Sequence, residues 1–441
     1  MALPTRQILS ADAEACVRCG ACLPVCPTYR ATGLEIQSPR GRVNLYAAYA
    51  QGEIEDAEVV LQAAYDCLDC RACQTVCPTG VRPGEAALDT RVFLQAGQPQ
   101  NMVAKAALEF FHHPRLIDAA GIFLFLYQKT GLQALVRRSR VLELLGPLAR
   151  MESLLPQEGL QLPLRAFSPP AWAPIGEKKG EVAFFLGCVM NMVFSETSRA
   201  TVEVIQRAGF GVYIPRATTC CGAPQIEEGD LVGFEKLAKQ NLEAYGRLEV
   251  DHIVTDCAAC AAELKKYARH FADDPVYGPL AQQVKAKTLL FSEFVRRYGL
   301  PEGSQFPFAT THQHACHACH AQGVYQEPRE ILKQTSDFRP LVGETDCCGS
   351  AGVYNLTHPE EAEVILKNKI AAATQTGAQV LSAENPGCLM QLERGRALYQ
   401  APFAVRHLSL VVLEAIKSPP NRQSPEPPQD SRAEPKAGSP S

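Results

Sequence analysis

Apolar residues follow two successive rhythms along this chain. In the first part they repeat at helical spacing: Val43, Tyr46, Ala47 and Ala50 share one face, and Val60, Ala63 and Ala64 another. Pro83 suits the first turn of a further helix, and the helical pattern runs on over residues 84–165. The most apolar run, AAGIFLFLY at 119–127, has Asp118 before it and Gln128 and Lys129 after it; it is too short to span a bilayer and reads as a buried helix, with an interfacial membrane anchor as the alternative. Proline-rich SPPAWAP at 168–174 marks a boundary. From Glu181 short apolar strands alternate with amphipathic helices: VAFFL at 182–186, a helix face of Val202, Ile205 and Ala208, VYI at 212–214, IVT at 253–255, then a helix through ACAAELKKYA. That βαβαβ order predicts a parallel sheet with right-handed crossovers.

The second regime repeats itself. Cys188 with Cys220-Cys221-Gly222 recurs about 127 residues later as Cys316 with Cys347-Cys348-Gly349, and TLLFSEFVRRY at 288–298 is echoed by RHLSLVVLEAI at 406–416. The expected plan is therefore an α+β multidomain chain: an α-helical domain over 1–100, a helical connector over 101–175, and a duplicated α/β domain over 176–417 with halves of about 176–300 and 301–417. Residues 418–441, rich in proline, serine and charge, predict a disordered tail.

Composition narrows the chemistry. The chain has 441 residues, 46% of them hydrophobic, and a formal charge of -4, which gives no reason to expect nucleic acid. No G-x-x-x-x-G-K-[ST] or G-x-G-x-x-G occurs, the glycines Gly349 and Gly352 included, so neither ATP nor dinucleotide binding is supported. The eighteen cysteines change the picture. MALPTRQILS at the start has no apolar signal region, so a secreted disulfide framework does not suit them, and a cytoplasmic location, or one peripheral on the inner face of the membrane, is expected.

Cys16, Cys19, Cys22, Cys26 before Pro27, and Cys67, Cys70, Cys73, Cys77 before Pro78, both read C-x2-C-x2-C-x3-C-P. Bacterial two-cluster ferredoxins use that run for a pair of [4Fe-4S] centres, with the fourth cysteine reaching to the other cluster. By that rule Cys16, Cys19, Cys22 and Cys77 hold one cube, and Cys67, Cys70, Cys73 and Cys26 the other. Structural zinc is a poor match to this spacing. The N-terminal domain is thus expected to be an α-helical ferredoxin.

Cys188, Cys220, Cys221, Cys257 and Cys260 form a second system, C-x31-CCG-x34-C-x2-C, at strand ends where open α/β sheets build sites. Five thiolates exceed what a structural zinc needs, so a larger cluster is expected, with Gly222 letting the backbone approach it. In the second half Cys316, Cys347, Cys348 and Cys388 remain, and Gln391 stands where C-x2-C would be completed. An ordinary cluster, zinc or free thiols all suit these four. Cys319 has no assigned place. His312, His314, His317 and His320 crowd around Cys316, where they can ligate, shuttle protons or simply cap and solvate. Arg40 and Arg42 either balance cluster charge or are ordinary surface residues of a helix N-terminus.

The CCG pattern resembles that of the heterodisulfide reductase catalytic subunit, whose five-cysteine version carries a noncubane [4Fe-4S] centre. Two ferredoxin runs joined to two CCG halves resemble the iron-sulfur subunits of glycolate oxidase. SPRGRVNLY at 38–46, ACHACHAQGV at 315–324, CCGSAGVYN at 347–355 and NPGCLMQL at 385–392 match that family. The resemblance implies two [4Fe-4S] clusters and a noncubane cluster at the first CCG half. It also implies FAD-containing partner subunits that oxidise glycolate to glyoxylate, and a quinone or other acceptor. No flavin site is evident, so the chain itself is expected to carry electrons and to hold no catalytic residues. Partners oxidising D-lactate or glycerol 3-phosphate, and direct disulfide reduction at Cys188–Cys260, are the alternatives. A cluster-bearing sensing module is disfavoured by the number of cysteine groups.

Overall fold

The computed structural model describes residues 8–96, 102–139, 146–156, 159–217 and 220–418; the tail expected beyond them lies outside the described residues. Helices Pro39–Gln51, Ala57–Tyr65 and Pro83–Gln95 pack around Tyr46, Val60, Ala64, Ala86 and Ala87, so the predicted apolar faces do meet in one small core. Proline opens two of these helices at its first turn, and Asp56 caps the third by accepting from the Glu58 and Val59 amides.

Helix Pro114–Lys129 forms where the most apolar run predicts one, yet only Ile117 and Gly121 are buried in it. Phe123 is 64% exposed and Leu116 and Leu126 are 50% exposed, so the expectation of a buried helix is corrected to one with an open apolar side. The reason is pairing: Gly121 lets this helix press one narrow stripe against Pro163 and Met192, and among the described residues nothing buries the rest of its girth.

Eight strands follow among the described residues. β1 (Ala171–Trp172), β2 (Gly180–Phe184), β3 (Phe210–Tyr213), β4 (His252–Thr255) and β5 (Thr288–Leu290) form one sheet in the order β1-β3-β2-β4-β5, parallel except for β1. The proline-rich boundary thus hides a two-residue antiparallel edge strand. β6 (Thr310–Gln313), β7 (Val380–Ala383) and β8 (Ala404–His407) form a second, wholly parallel sheet. Val182, Ala183 and Phe184 are fully buried, as continuous apolar strands covered on both faces must be. The repeat is visible strand for strand, with one loss: the counterpart of β3 is reduced to a single bridge between Thr310 and Phe338. The echoed segments are β5 and β8, each running directly into a helix, Phe291–Tyr298 and Leu408–Lys417.

The halves interlock by exchange of polar contacts at strand ends. Glu384 after β7 receives the Ser292 amide on its carboxylate (3.0 Å) and the Ala258 amide on its carbonyl (2.9 Å). Reciprocally, His407 Nε2 meets the Asp256 carbonyl at 2.8 Å. The helical N-terminal region lies against both halves: Arg91 donates to the Glu227 carbonyl (2.8 Å), His358 meets Asp66 (3.1 Å), and Arg30 pairs with Asp346 (2.8 Å).

Candidate metal centres

The backbone between the ferredoxin cysteines is bent the same way in both runs. Arg18 and Gly20 in the first, and Asp69 and Arg71 in the second, have positive φ (55°, 83°, 44° and 62°). This left-handed turn swings successive sulfurs toward a common point, and non-glycine residues hold it only where surroundings enforce it. For Asp69 and Arg71 the enforcement is a buried ion pair between their side chains at 3.1 Å.

Two small cavities result. Cys16, Cys19, Cys22 and Cys77 line one of about 30 Å³, and Cys26, Cys67, Cys70 and Cys73 line one of about 20 Å³. Each therefore draws three sulfurs from one run and a fourth from the other; Cys73 touches both. Burial pushes the thiols of Cys67, Cys70 and Cys73 up, a cost that a cation held among the sulfurs would offset. Four such donors around a closed space suit an iron-sulfur cube and would supply one-electron redox chemistry. Arg42, buried, reaches the second cavity and donates to the carbonyls of Ala63 and Asp66 (both 2.9 Å) and to the Thr28 hydroxyl (3.1 Å). Arg40, on the other side of the same helix, lines the first cavity and pairs with Glu35 at 2.7 Å.

The five cysteines of the first CCG half meet although 72 residues separate the outermost pair in sequence. Cys188 Sγ lies 3.6 Å from Cys220 Sγ, and the Cys260 amide points at Cys257 Sγ (3.3 Å). Neighbouring thiols and burial push Cys220 and Cys260 up. In the second half Cys348 Sγ and Cys388 Sγ are 3.4 Å apart, and Cys316 and Cys347 contact one another. None of the eighteen cysteines is in a disulfide, and Cys319, turned toward the Cys316 carbonyl at 4.0 Å, lines none of the three cavities described.

This geometry defines what the two glycines do and corrects one expectation. Gly222 (φ 89°) and Gly349 (φ 85°) direct their amides at the first cysteine of each pair, Cys220 (3.5 Å) and Cys347 (3.4 Å). What excludes a side chain at Gly222 is the ring of Phe234 at 2.8 Å, a packing constraint. The cysteine missing from the second half is not at Gln391. Cys257 caps the helix after β4, and the residue capping the helix after β7 is Asn385; Cys388 is then the counterpart of Cys260. Asn385 bridges the halves, with Oδ1 3.7 Å from Cys257 Sγ and Nδ2 3.8 Å from Cys388 Sγ. Counting forward from Cys388 puts the vacancy six residues too late, because register follows the strand rather than the spacing.

Of the four histidines, His312 in β6 is buried against Ser382 (2.7 Å), and His314, just after β6, is buried against Glu344 (3.7 Å). His320 meets the Thr345 carbonyl (3.1 Å). His317 alone faces a cavity: its Nε2 meets the Asp69 carbonyl at 3.1 Å, and a ligand atom from each of Asp69, Glu227 and His317 lies within 4.8 Å of the others. Glu227 belongs to no motif, and no pattern in the sequence points to it. Burial lifts its carboxyl to about 7.

A third cavity, about 960 Å³, joins these groups. Its walls include Cys67 and Cys70, all five cysteines of the first CCG half, and Cys316, Cys347, Cys348 and Cys388 of the second. The opposite wall is apolar and comes from helices Pro114–Lys129 and Pro147–Ser153.

Known proteins share this layout. A 4Fe-4S dicluster domain matches residues 12–81, a cysteine-rich domain matches twice, at 182–265 and 310–393, and a glycolate oxidase iron-sulfur subunit linker region matches 99–155. The clustered cysteines within these matches mark an iron-sulfur protein. A probable glycolate oxidase iron-sulfur subunit of Bacillus subtilis is 36% identical over 91% of this chain and 93% of its own length. The glycolate oxidase iron-sulfur subunit of Escherichia coli is 27% identical over 93% and 96%. Lactate utilization protein A of an Exiguobacterium is 30% identical over 54% of this chain and 98% of its own. Matched along nearly its whole length, and in the linker between its two cysteine systems, the chain belongs to the glycolate oxidase iron-sulfur subunit family.

Proposed function

We propose that this chain is the electron-transfer subunit of a complex in which FAD-containing partner subunits oxidise glycolate to glyoxylate. Cys16, Cys19, Cys22 and Cys77 hold one [4Fe-4S] cube, and Cys67, Cys70, Cys73 and Cys26 the other. Cys188, Cys220, Cys221, Cys257 and Cys260 hold a noncubane [4Fe-4S] centre. Cys316, Cys347, Cys348 and Cys388 form a four-thiolate site with Asn385 in the fifth place. The observation that carries the reading is continuity: Cys73 lines both ferredoxin cavities, and Cys67 and Cys70 share the large cavity with both CCG groups. Electrons enter at the first cube, where Cys19 is exposed, and leave at the CCG end to a quinone.

The domain limits at about residues 100 and 175 follow the same reading, as does work on the cytoplasmic side, peripheral to the inner membrane face. Exposed Phe123, Leu135 and Met151 lie among exposed Lys129, Arg138 and Arg150, a combination suited to an anionic lipid surface. No helix among the described residues is long and apolar enough to cross a membrane. A second reading, partners that oxidise D-lactate, draws on the similarity to lactate utilization protein A. The test is dye reduction in extracts of the host with and without this chain, with glycolate and D-lactate in parallel. Selective loss of the glycolate rate is expected; loss of the lactate rate alone transfers the assignment to lactate, and no loss of either overturns it.

A further inference from the structure

The large cavity is much more than a place for clusters. Each ferredoxin cavity, with four sulfurs around it, measures about 20 or 30 Å³, whereas the CCG cavity measures about 960 Å³. That volume is in the range of sites for cofactor-sized organic ligands. The cavity is also asymmetric: sulfurs crowd one wall, and Phe123, Tyr127, Leu148, Met151, Met192 and Leu356 furnish much of the other. Phe123 and Tyr127 present stacked rings with centroids 6.3 Å apart and planes 10° from parallel. Phe123, Leu148 and Met151 line the cavity and are also more than half exposed, so the mouth itself is apolar. A water-soluble acceptor has no use for such an entrance, because burying charge or unpaired polar groups there costs free energy.

The geometry points to this cavity as the binding site of a quinone, with its ring toward the CCG sulfurs, one carbonyl toward Glu227, and its isoprenoid tail leaving between helices Pro114–Lys129 and Pro147–Ser153. This assignment rests on the electron-transfer reading above and adds the place where the acceptor binds and the residues that hold it. Glu227 supplies the polar end: it lines the cavity beside His317 and Asp69, and Asp69 is already neutralised by Arg71. Its carboxyl, lifted by burial to about 7, holds a proton up to about neutral pH for one carbonyl oxygen; reduction to the quinol takes two electrons, delivered one at a time from the clusters, and a second proton from water. The linker helices thereby gain a purpose that explains their open apolar side.

The experiment is photolabelling of the purified, cluster-loaded full chain with an azidoquinone carrying a short isoprenoid tail, followed by peptide mapping. Label is expected in 114–129 and 147–153, displaced by unlabelled quinone. Leu148→Trp and Met151→Trp, which fill the mouth, should each weaken quinone binding by about tenfold or more while iron and sulfide content stay unchanged. Glu227→Leu should weaken binding similarly, and Glu227→Gln, which retains a donor, should restore most of it. Label elsewhere, binding indifferent to both tryptophans, or displacement by an aliphatic disulfide but not by quinone would overturn the assignment. Failure of the electron-transfer reading is separable: it shows as unchanged glycolate-dependent dye reduction without this chain, even where labelling is as expected.

Discussion

Arg42 carries its charge into the interior and meets carbonyls and a hydroxyl there, beside the sulfurs of Cys26 and Cys67. A cation fixed next to a cluster favours the more negative, reduced state. Arg42→Met should therefore move the midpoint potential of one cube to more negative values, read by redox titration with electron paramagnetic resonance; two unmoved potentials would remove that role. Sequence offered Arg40 and Arg42 as equals, and only burial separates them, since Arg42 is 2% exposed while Arg40 is spent largely on Glu35. Cysteines divide in the same way. Cys70→Ser should lose a cube, and with it roughly a third or more of the iron and the glycolate-dependent rate, whereas Cys319→Ser should leave both close to wild type. Equal damage from the two would discard the ligand assignment. The residues that spacing could not reveal are those whose role depends on a neighbour far away in sequence: Glu227, Asn385 and the exposed Phe123.

The segment SPRGR shows how one element serves two sites. Ser38 caps helix Pro39–Gln51 by accepting the Gly41 amide, Pro39 fills the first turn, and Arg40 and Arg42 leave the helix toward different cavities. Gly41 is required by crowding, because a Cβ there would overlap the Glu35 carbonyl oxygen. Gly41→Ala should cost about 2 kcal/mol or more of stability, measured by denaturant unfolding, and reduce cluster yield by displacing both arginines. A fully stable variant would mean the turn at Glu35 yields freely. At the ends of β4 and β7 the halves are joined through Glu384, whose carboxyl burial lifts from 4.5 to about 8. The folded state thus holds a proton that the unfolded chain releases above pH 4.5, so this group's contribution falls as pH rises from about 4.5 to 8. Glu384→Gln should remove that slope. Its melting temperature should gain on wild type between pH 5.5 and 8.5, and a constant gap would contradict the burial account.

At the scale of the molecule, iron counting separates the cluster inventories: two cubes require about eight irons per chain, and a filled first CCG half about four more. Content near twelve is expected, and content near eight with zinc present would make the CCG half structural. Much of this was written in the sequence. C-x2-C-x2-C-x3-C-P fixes local ligands because a turn of that length can aim sulfurs by itself, and the strand-helix alternation with its repeat fixed the α/β class, because apolar spacing reports local geometry directly. Tertiary structure decided the remainder: that the sulfurs of Cys188 and Cys220 meet, that Asn385 rather than Gln391 stands in the missing ligand's place, and that the reduced counterpart of β3 leaves a three-stranded second sheet. It also decided that the apolar run at 119–127 lies half open over a large cavity rather than inside a core. The division has a physical cause. Local dihedral preference and side-chain period are properties of neighbouring residues, whereas a cavity is the space left between elements, and no residue encodes the side chains that will face it across that gap.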